Sequence, residues 1–366
     1  MERILCIMNS LNRGGAETFM VKLCNNIDRE KYRMDFCVKS MGEGVYEPEL
    51  RSLGCEIYHT TMRTENAFKC FFDIIKYVRK GKYKKVLVVS EFSLSGLDII
   101  AAKLGGAKKC SMRSTNASFQ SRKFNNIHKF FKPLTMFLPN VMIAPSSEAG
   151  AFTFGKKNME KGKVKILHNG LPCEKYDFNN ESREKIRKSL GVENNKVVCH
   201  VGRFSNQKNH RFLIDVFEKL AGIDENMKFI LVGKGGKSGK EAEIKEKVKN
   251  LDLEDKVLFL GERNDVPQIL SAADILVFPS LFEGMPNVVI ESQAAGLPSV
   301  ISDSITPEAD ITGIVKYLPL SKGAEYWAEE TLKLLNSYER RSYINEIKDA
   351  GYDIESTVKR FTELVF

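Results

Sequence analysis

Short apolar runs alternate with amphipathic stretches along the whole chain, and this alternation sets the fold class. Ile4 to Met8 is an apolar run of strand length, and the stretch after it puts Phe19, Met20, Leu23, Cys24 and Ile27 on one helical face. Strands at Met34 to Val38 and Glu56 to His59 flank a helix at Glu47 to Leu53. A helix over Phe68 to Lys85, a strand at Val86 to Val89, a helix at Gly96 to Leu104 and a strand at Lys108 to Arg113 follow. Phe119 to Phe137 reads as a basic, aromatic helix, and Val141 to Pro145 as a strand. The second half repeats the scheme with a helix at Glu181 to Leu190 and strands at Lys196 to Val201, Phe229 to Val232, Val257 to Leu260, Ile275 to Phe278 and Ser299 to Ser302. Helices separate most of these strands, one ending near Asn250 and one opening at Pro286, and the sequence is helical again from Tyr326. Strands apolar on both faces and separated by helices form parallel sheets covered on both sides, so the expected class is α/β, doubly wound.

The 366 residues suffice for two domains, each with its own core. No apolar run approaches the roughly eighteen residues of a membrane span, and Met1-Glu-Arg leads straight into a strand, so a cytoplasmic protein is expected. Eight cysteines lie scattered without a C-x-x-C pair, mostly in apolar contexts, and read as buried thiols. The net charge of +9 is uneven: 29 Lys and Arg face 15 Asp and Glu through His168, against 27 and 32 from Asn169 onward. The basic half therefore expects an anionic partner, either a phosphorylated acceptor or a membrane surface on which the protein docks peripherally at the inner face. No zinc-finger spacing, RNP-like motif or recognition helix argues for nucleic acid. Arg122, Lys123, Lys129 and Lys132 interleave with Phe119, Phe124, Phe130, Phe131 and Phe137, a pattern that suits a helix lying on a bilayer or one packing its aromatic side on its own domain.

The densest chemistry lies between Asp274 and Asp303. Pro279 and Gly284 break a strand into a loop, Pro286 suits a first helical turn, Val288, Val289 and Ile290 give that helix a buried side, and Gly296 with Pro298 stop it. Such strand, loop, helix units bind ligands where loops leave the carboxyl ends of strands. Glu283 in the loop and Glu291 eight residues on can accept hydrogen bonds from the hydroxyls of a sugar or ribose, and the N–H groups near Gly284 to Val288 suit a phosphate. A second loop, Gly202-Arg203-Phe-Ser-Asn-Gln-Lys208, carries two cations five apart, well placed for a diphosphate. Gly233-Lys-Gly-Gly-Lys-Ser238 mimics a P-loop, but its first glycine would fall on Leu231 inside a strand, which rules out ATPase chemistry. Asn9 to Glu17 lacks the G-x-G-x-x-G of a dinucleotide enzyme.

Set in Phe-Pro-Ser-x-x-Glu-Gly-x-Pro-Asn and followed by Ala-Ala-Gly-x-Pro, the Glu283 and Glu291 pair resembles the E-x7-E element of family-4 retaining glycosyltransferases of the GT-B fold, and the resemblance covers the whole chain. It implies two Rossmann-like, doubly wound domains facing across a cleft. Residues 1–168 would bind the acceptor, with a last helix over about 353–366 packing back on them, and 169–352 the nucleotide-sugar donor; closure would occur about Asn169-Gly170 in the linker Ile166 to Pro172. By the same resemblance Arg203 and Lys208 hold the diphosphate, Glu283 meets the donor sugar and Glu291 the ribose. Gly14, Gly15, Gly202, Gly233, Gly284, Met285, Pro286, Asn287 and Val288 line the donor site, while Arg263 and Val266 meet the base. Ser302 to Thr312 is similar to the matching segment of capsule and exopolysaccharide transferases. The implied activity is retaining transfer from a nucleotide-sugar, read as a UDP-sugar that is substrate and not cofactor, to a lipid-linked or growing polysaccharide acceptor. The alternative is a catalytically silent binding subunit. No Asp-x-Asp pair is present to hold a metal, Asp252-Leu-Glu254-Asp255 coming nearest, so neither metal nor cofactor is expected. One departure stands out: where many members carry His-Ser-His-Asn, this chain has Arg113-Ser114-Thr115-Asn116. Arginine stays protonated and can only donate, so as a site residue Arg113 either binds a charged group or braces its loop.

Overall fold

The computed structural model describes residues 1–116, 122–235 and 239–366, with 122–124 as backbone. It divides into two compact units, Met1–Leu171 with Gly351–Phe366, and Pro172–Ala350. The first unit runs β1 (Glu2–Met8), α1 (Gly15–Asn26), β2 (Tyr32–Val38), α2 (Glu47–Ser52), β3 (Ile57–His59), α3 (Ala67–Lys80), β4 (Lys85–Ser90), α4 (Gly96–Leu104), β5 (Lys109–Ser114), α5 (Arg122–Phe137), β6 (Val141–Ala144), α6 (Ser147–Phe154), α7 (Lys156–Glu160) and β7 (Val164–Ile166). The second contains α8 (Cys173–Tyr176), α9 (Asn180–Leu190), β8 (Lys196–Val201), α10 (His210–Ile223), β9 (Met227–Val232), α11 (Lys240–Asn250), β10 (Val257–Gly261), α12 (Val266–Ala272), β11 (Ile275–Phe278), α13 (Asn287–Ala294), β12 (Ser299–Ser302), β13 (Val315–Leu318), α14 (Gly323–Ser337) and α15 (Ile344–Asp349). The chain then returns to the first unit as α16 (Ile354–Val365).

Both sheets are wholly parallel, in the orders β3-β2-β1-β4-β5-β6-β7 and β10-β9-β8-β11-β12-β13. The continuous apolar run of β1 has a direct cause in this topology. Ile4, Cys6 and Met8 pack with Phe19, Leu23 and Phe361 of α1 and α16, whereas Leu5 and Ile7 pack with Ile74, Val78 and Ile99 of α3 and α4. Each fully buried side chain of this kind contributes about 1.5–3 kcal/mol. In each sheet the strand order reverses once, between β1 and β4 and between β8 and β11. Loops leaving neighbouring strands at such a point diverge and open a crevice at the carboxyl ends.

Several expected boundaries move. The helix expected over Phe68 to Lys85 ends at Lys80, because Gly81 and the left-handed Lys82 (φ 53°) turn the chain into β4. The units meet at Leu171/Pro172 and Ala350/Gly351, not at 168/169 and 352/353. The expected linker from Ile166 begins as the end of edge strand β7, and Leu171 bridges to Asp353. Gly170, in the expected linker, packs against the returning chain. A Cβ there would lie 2.7 Å from Thr357 Oγ1 and 3.0 Å from Ile354 Cα, so glycine serves a close approach to α16. All eight cysteines are buried and free, and among the described residues no helix is long and apolar enough to cross a membrane.

Candidate functional site

The β8/β11 switch point of the second unit gathers most of the residues singled out in the sequence. The loop after β8 carries Gly202, Arg203 and Lys208, and the loop after β11 carries Glu283 to Pro286. Two bonds stitch the loops together: Leu281 N–H donates to Gln207 O at 2.8 Å, and Gln207 Nε2 donates to Phe282 O at 2.9 Å. Across the same gap Lys208 Nζ lies 2.6 Å from Glu283 Oε1, with both side chains largely buried. The ammonium also sits 4.4 Å from the centre of the Phe278 ring. Arg203, by contrast, is exposed and has no ion-pair partner among the described residues. Helix α13 follows the loop after β11 and opens at Pro286, which brings the positive end of its dipole to the carboxyl end of that strand. Met285 and Val288 are buried beside it, and Gly284 and Asn287 are partly exposed.

Beneath Lys208 lies a neutral imidazole floor. His200 Nδ1 donates to Val277 O at 3.0 Å, because a carbonyl can only accept, and its ring stacks on Phe278. His210 stacks on Phe204 and meets His200 edge-on at 4.8 Å. Burial, with Lys208 nearby, pushes His210 down to about 4 and, with His210 also nearby, His200 well below the usual histidine range. Gly202 and Gly233 let the ends of β8 and β9 approach: a Cβ on Gly233, whose φ is 145°, would lie 2.1 Å from Gly202 O. Glu291, on α13, accepts from the hydroxyl of Tyr176, a phenol pushed well above its usual range by burial and by that carboxylate. Arg263 is spent on a two-pronged pair with Asp265 at 2.8 and 2.6 Å, just before Val266 opens α12. Asp252 to Asp255 occupy the turn from α11 to β10, at the amino end of the strand and away from this crevice.

In the first unit the Gly14-Gly15 turn leads into α1, but an anion of the chain itself lies on the helix start. A Cβ on Gly14 would be 2.3 Å from Glu17 Oε2, and Ser10 Oγ donates to Glu17 Oε1 at 3.0 Å. Arg113 is 1 % exposed on β5, its Nη2 donating to Asn169 Oδ1 at 2.6 Å. Thr115 and Asn116 are turned to the carbonyls of Ser90 and Glu91. A different cavity, of about 480 Å³, lies at the amino ends of β8 and β11, lined by Arg183, Arg187, Asp274 and Arg340. Most of its guanidinium donors are spent on Asp274 and on the carbonyls of residues 270–273 and 295, which argues against a ligand there.

Sequence reasoning missed Gln207, Phe278, the histidine pair and Tyr176. A glutamine in a polar loop, an aromatic and a histidine inside apolar runs and a histidine at a helix start look like ordinary core or loop residues, and only their convergence marks them. Among the described residues no group of three or more His, Cys, Asp or Glu could hold a metal ion.

Residues 182–349, from α9 through α15, match the family Glycosyl transferases group 1. Over 367 aligned residues the chain is 30% identical to EpsF of Bacillus subtilis (strain 168), assigned as a glycosyltransferase, covering 98% of this chain and 94% of EpsF. The chain belongs to the group 1 glycosyltransferases. The capsular polysaccharide biosynthesis glycosyltransferase CapH of Staphylococcus aureus is 25% identical to this glycosyltransferase across 100% of the chain and 98% of CapH. The crystal structure of HepE from Anabaena in complex with UDP superposes on it with a TM-score of 0.80 at 19% identity, covering 99% of each chain. The fold of this glycosyltransferase is therefore GT-B, with a Rossmann-like parallel sheet in each unit.

Proposed function

We propose that this glycosyltransferase moves a sugar from a UDP-sugar to a lipid-linked or growing polysaccharide acceptor in capsule or exopolysaccharide assembly, with retention and without a metal ion. The observation that carries the reading is the convergence of Lys208, Glu283, exposed Arg203 and the start of α13 on one switch-point crevice. CapH's role in capsule synthesis and the UDP bound in HepE support it. In this reading the donor diphosphate takes over Lys208, one of whose three N–H groups now meets Glu283. The freed carboxylate accepts from the donor sugar, Glu291 accepts from the ribose, and the loop from Arg263 to Val266 meets the base through its backbone. As the bond from C1 to the diphosphate breaks, charge builds on the leaving oxygens, and Arg203, Lys208 and the α13 amides offset it. The acceptor oxygen bonds to C1 from the face the diphosphate leaves, and its proton passes to the departing phosphate oxygen, so no protein base is needed.

Turnover with a panel of UDP-sugars and a lipid diphosphate-linked sugar tests this. Arg203→Ala should lower turnover by roughly 10²-fold, the loss typical of one preorganised donor, at an unchanged melting temperature, and Lys208→Ala should lower it as far with a reduced melting temperature, because Glu283 then lies buried without its cation. Near-wild-type rates in both variants would remove the diphosphate assignment, and UDP binding with no transfer or hydrolysis would mark a silent binding subunit instead.

A further inference from the structure

The residue that departs from the family pattern, Arg113, has surroundings in the fold that define a role for it. It sits on β5 level with Val89, its guanidinium 4.1 Å from the centre of the Phe19 ring, and among the described residues no carboxylate pairs with it. Burial alone draws its pKa down to about 9. Among the described residues Nε has no partner, and both hydrogen bonds leave from Nη2, to Asn169 Oδ1 at 2.6 Å and Leu167 O at 3.4 Å. A buried cation held only by an amide oxygen, a carbonyl and a ring face is costly, and it persists where its geometry does something.

Its two acceptors belong to the segment by which the chain leaves the first unit. Leu167 N–H donates to Ala144 O at the end of β6, and His168 Nδ1 donates to Pro145 O at 3.0 Å. The His168 ring stacks on Tyr352 at 4.2 Å, in the returning segment. Leu171 N–H donates to Tyr352 O and Leu171 O accepts from Ile354 N–H. The outgoing and returning stretches are thus laced to each other and to β6 and α16, and Asn169 is the point at which β5 holds them. We propose that Arg113 is a positioning residue that clamps Leu167–Leu171 onto the first unit through Asn169, and that it does not touch substrate. The turnover arm of the test below rests on the transferase reading; the exchange arm does not.

Hydrogen exchange of the full chain reads the clamp directly. Arg113→Met should speed exchange of the Leu167, Leu171 and Ile354 amides by about tenfold or more while the β1 and β4 amides stay protected, the signature of local opening. Asn169→Ala should do the same with Arg113 in place, and Asn169→Asp, which still accepts from the guanidinium, should keep protection. Turnover should fall in the first two variants with the donor KM within about threefold of wild type, and recover in Asn169→Asp. Unchanged exchange with a raised donor or acceptor KM would overturn the proposal in favour of direct contact, and unchanged exchange and turnover would overturn it outright. If Arg113→Met fails to fold, the Asn169→Ala and Asn169→Asp pair decides the question. A wild type that exchanges as described but transfers nothing would sink the transferase reading and leave the clamp standing.

Discussion

The sequence leads one to expect Lys208 on a phosphate and Glu283 on a sugar; in the fold they hold each other at 2.6 Å. Mutual neutralisation lowers the cost of keeping either charge half out of water, which is how a site can store charge before its ligand arrives. The histidines beneath them carry a pH signature. His210 titrates at about 4 in the folded protein against an ordinary 6.5, so the unfolded chain binds the proton more readily, and stability is full above pH 6.5 and is lost as pH falls toward 4. The loss should reach about 3 kcal/mol. His210→Phe, which keeps the stack on Phe204, should flatten melting temperature against pH across that window relative to wild type. Parallel curves for the two proteins would mean that His210 is not the group being protonated. None of this could be read from Asn-His210 at a helix start, because only the fold turns His200 of β8 and Phe204 of the loop after it onto the ring.

At the scale of elements, the meeting of β8 with β9 depends on two glycines. Gly233 combines a φ of 145° with a contact that a side chain would drive into Gly202 O, so Gly233→Ala should cost about 2 kcal/mol or more and distort the Gly202-Arg203 turn. A melting temperature and UDP affinity equal to wild type would show that the strand ends yield easily. Elements with a strong apolar pattern, such as β1, α1 and β11, are legible in the sequence. β7, β13 and α12 are not, since Val-Lys-Ile and Val-Lys-Tyr-Leu are too short and too polar to stand out, and an edge strand draws its stability from its one neighbour. Helix α5 shows a related limit. Phe119 to Ser121 lie outside the described residues, and Lys132, a candidate surface cation in the sequence, donates instead to Ala151 O.

For the whole molecule, the charge asymmetry gains a surface. Phe68 and Phe72 on α3 are 80% and 63% exposed, with Lys69 and Lys76 exposed beside them, and Phe130 and Phe137 are exposed on α5. A basic unit with exposed rings should dock peripherally on anionic lipid, each Lys or Arg near the surface adding about 1 kcal/mol. Flotation with anionic vesicles should recover the protein at low salt, lose it as salt rises, and weaken in Phe68→Ser/Phe72→Ser. Equal recovery on neutral and anionic vesicles would end the idea.

What the sequence determined by itself was set by local patterning. The βα alternation requires parallel sheets, because strands apolar on both faces must be covered twice, and the residues from Phe278 to Asn287 place a loop, an acid and a helix start in fixed succession whatever surrounds them. What tertiary structure decided concerns groups far apart in the chain. That Lys208 meets Glu283 follows from the strand order, which sets β8 beside β11. That Arg113 turns to Asn169, and that Gly170 packs closely on Thr357 and Ile354, follows from β5, β6 and α16 enclosing one short segment. A side chain's type and spacing fix what it can donate or accept, but only the packing of distant elements decides which partner reaches it first.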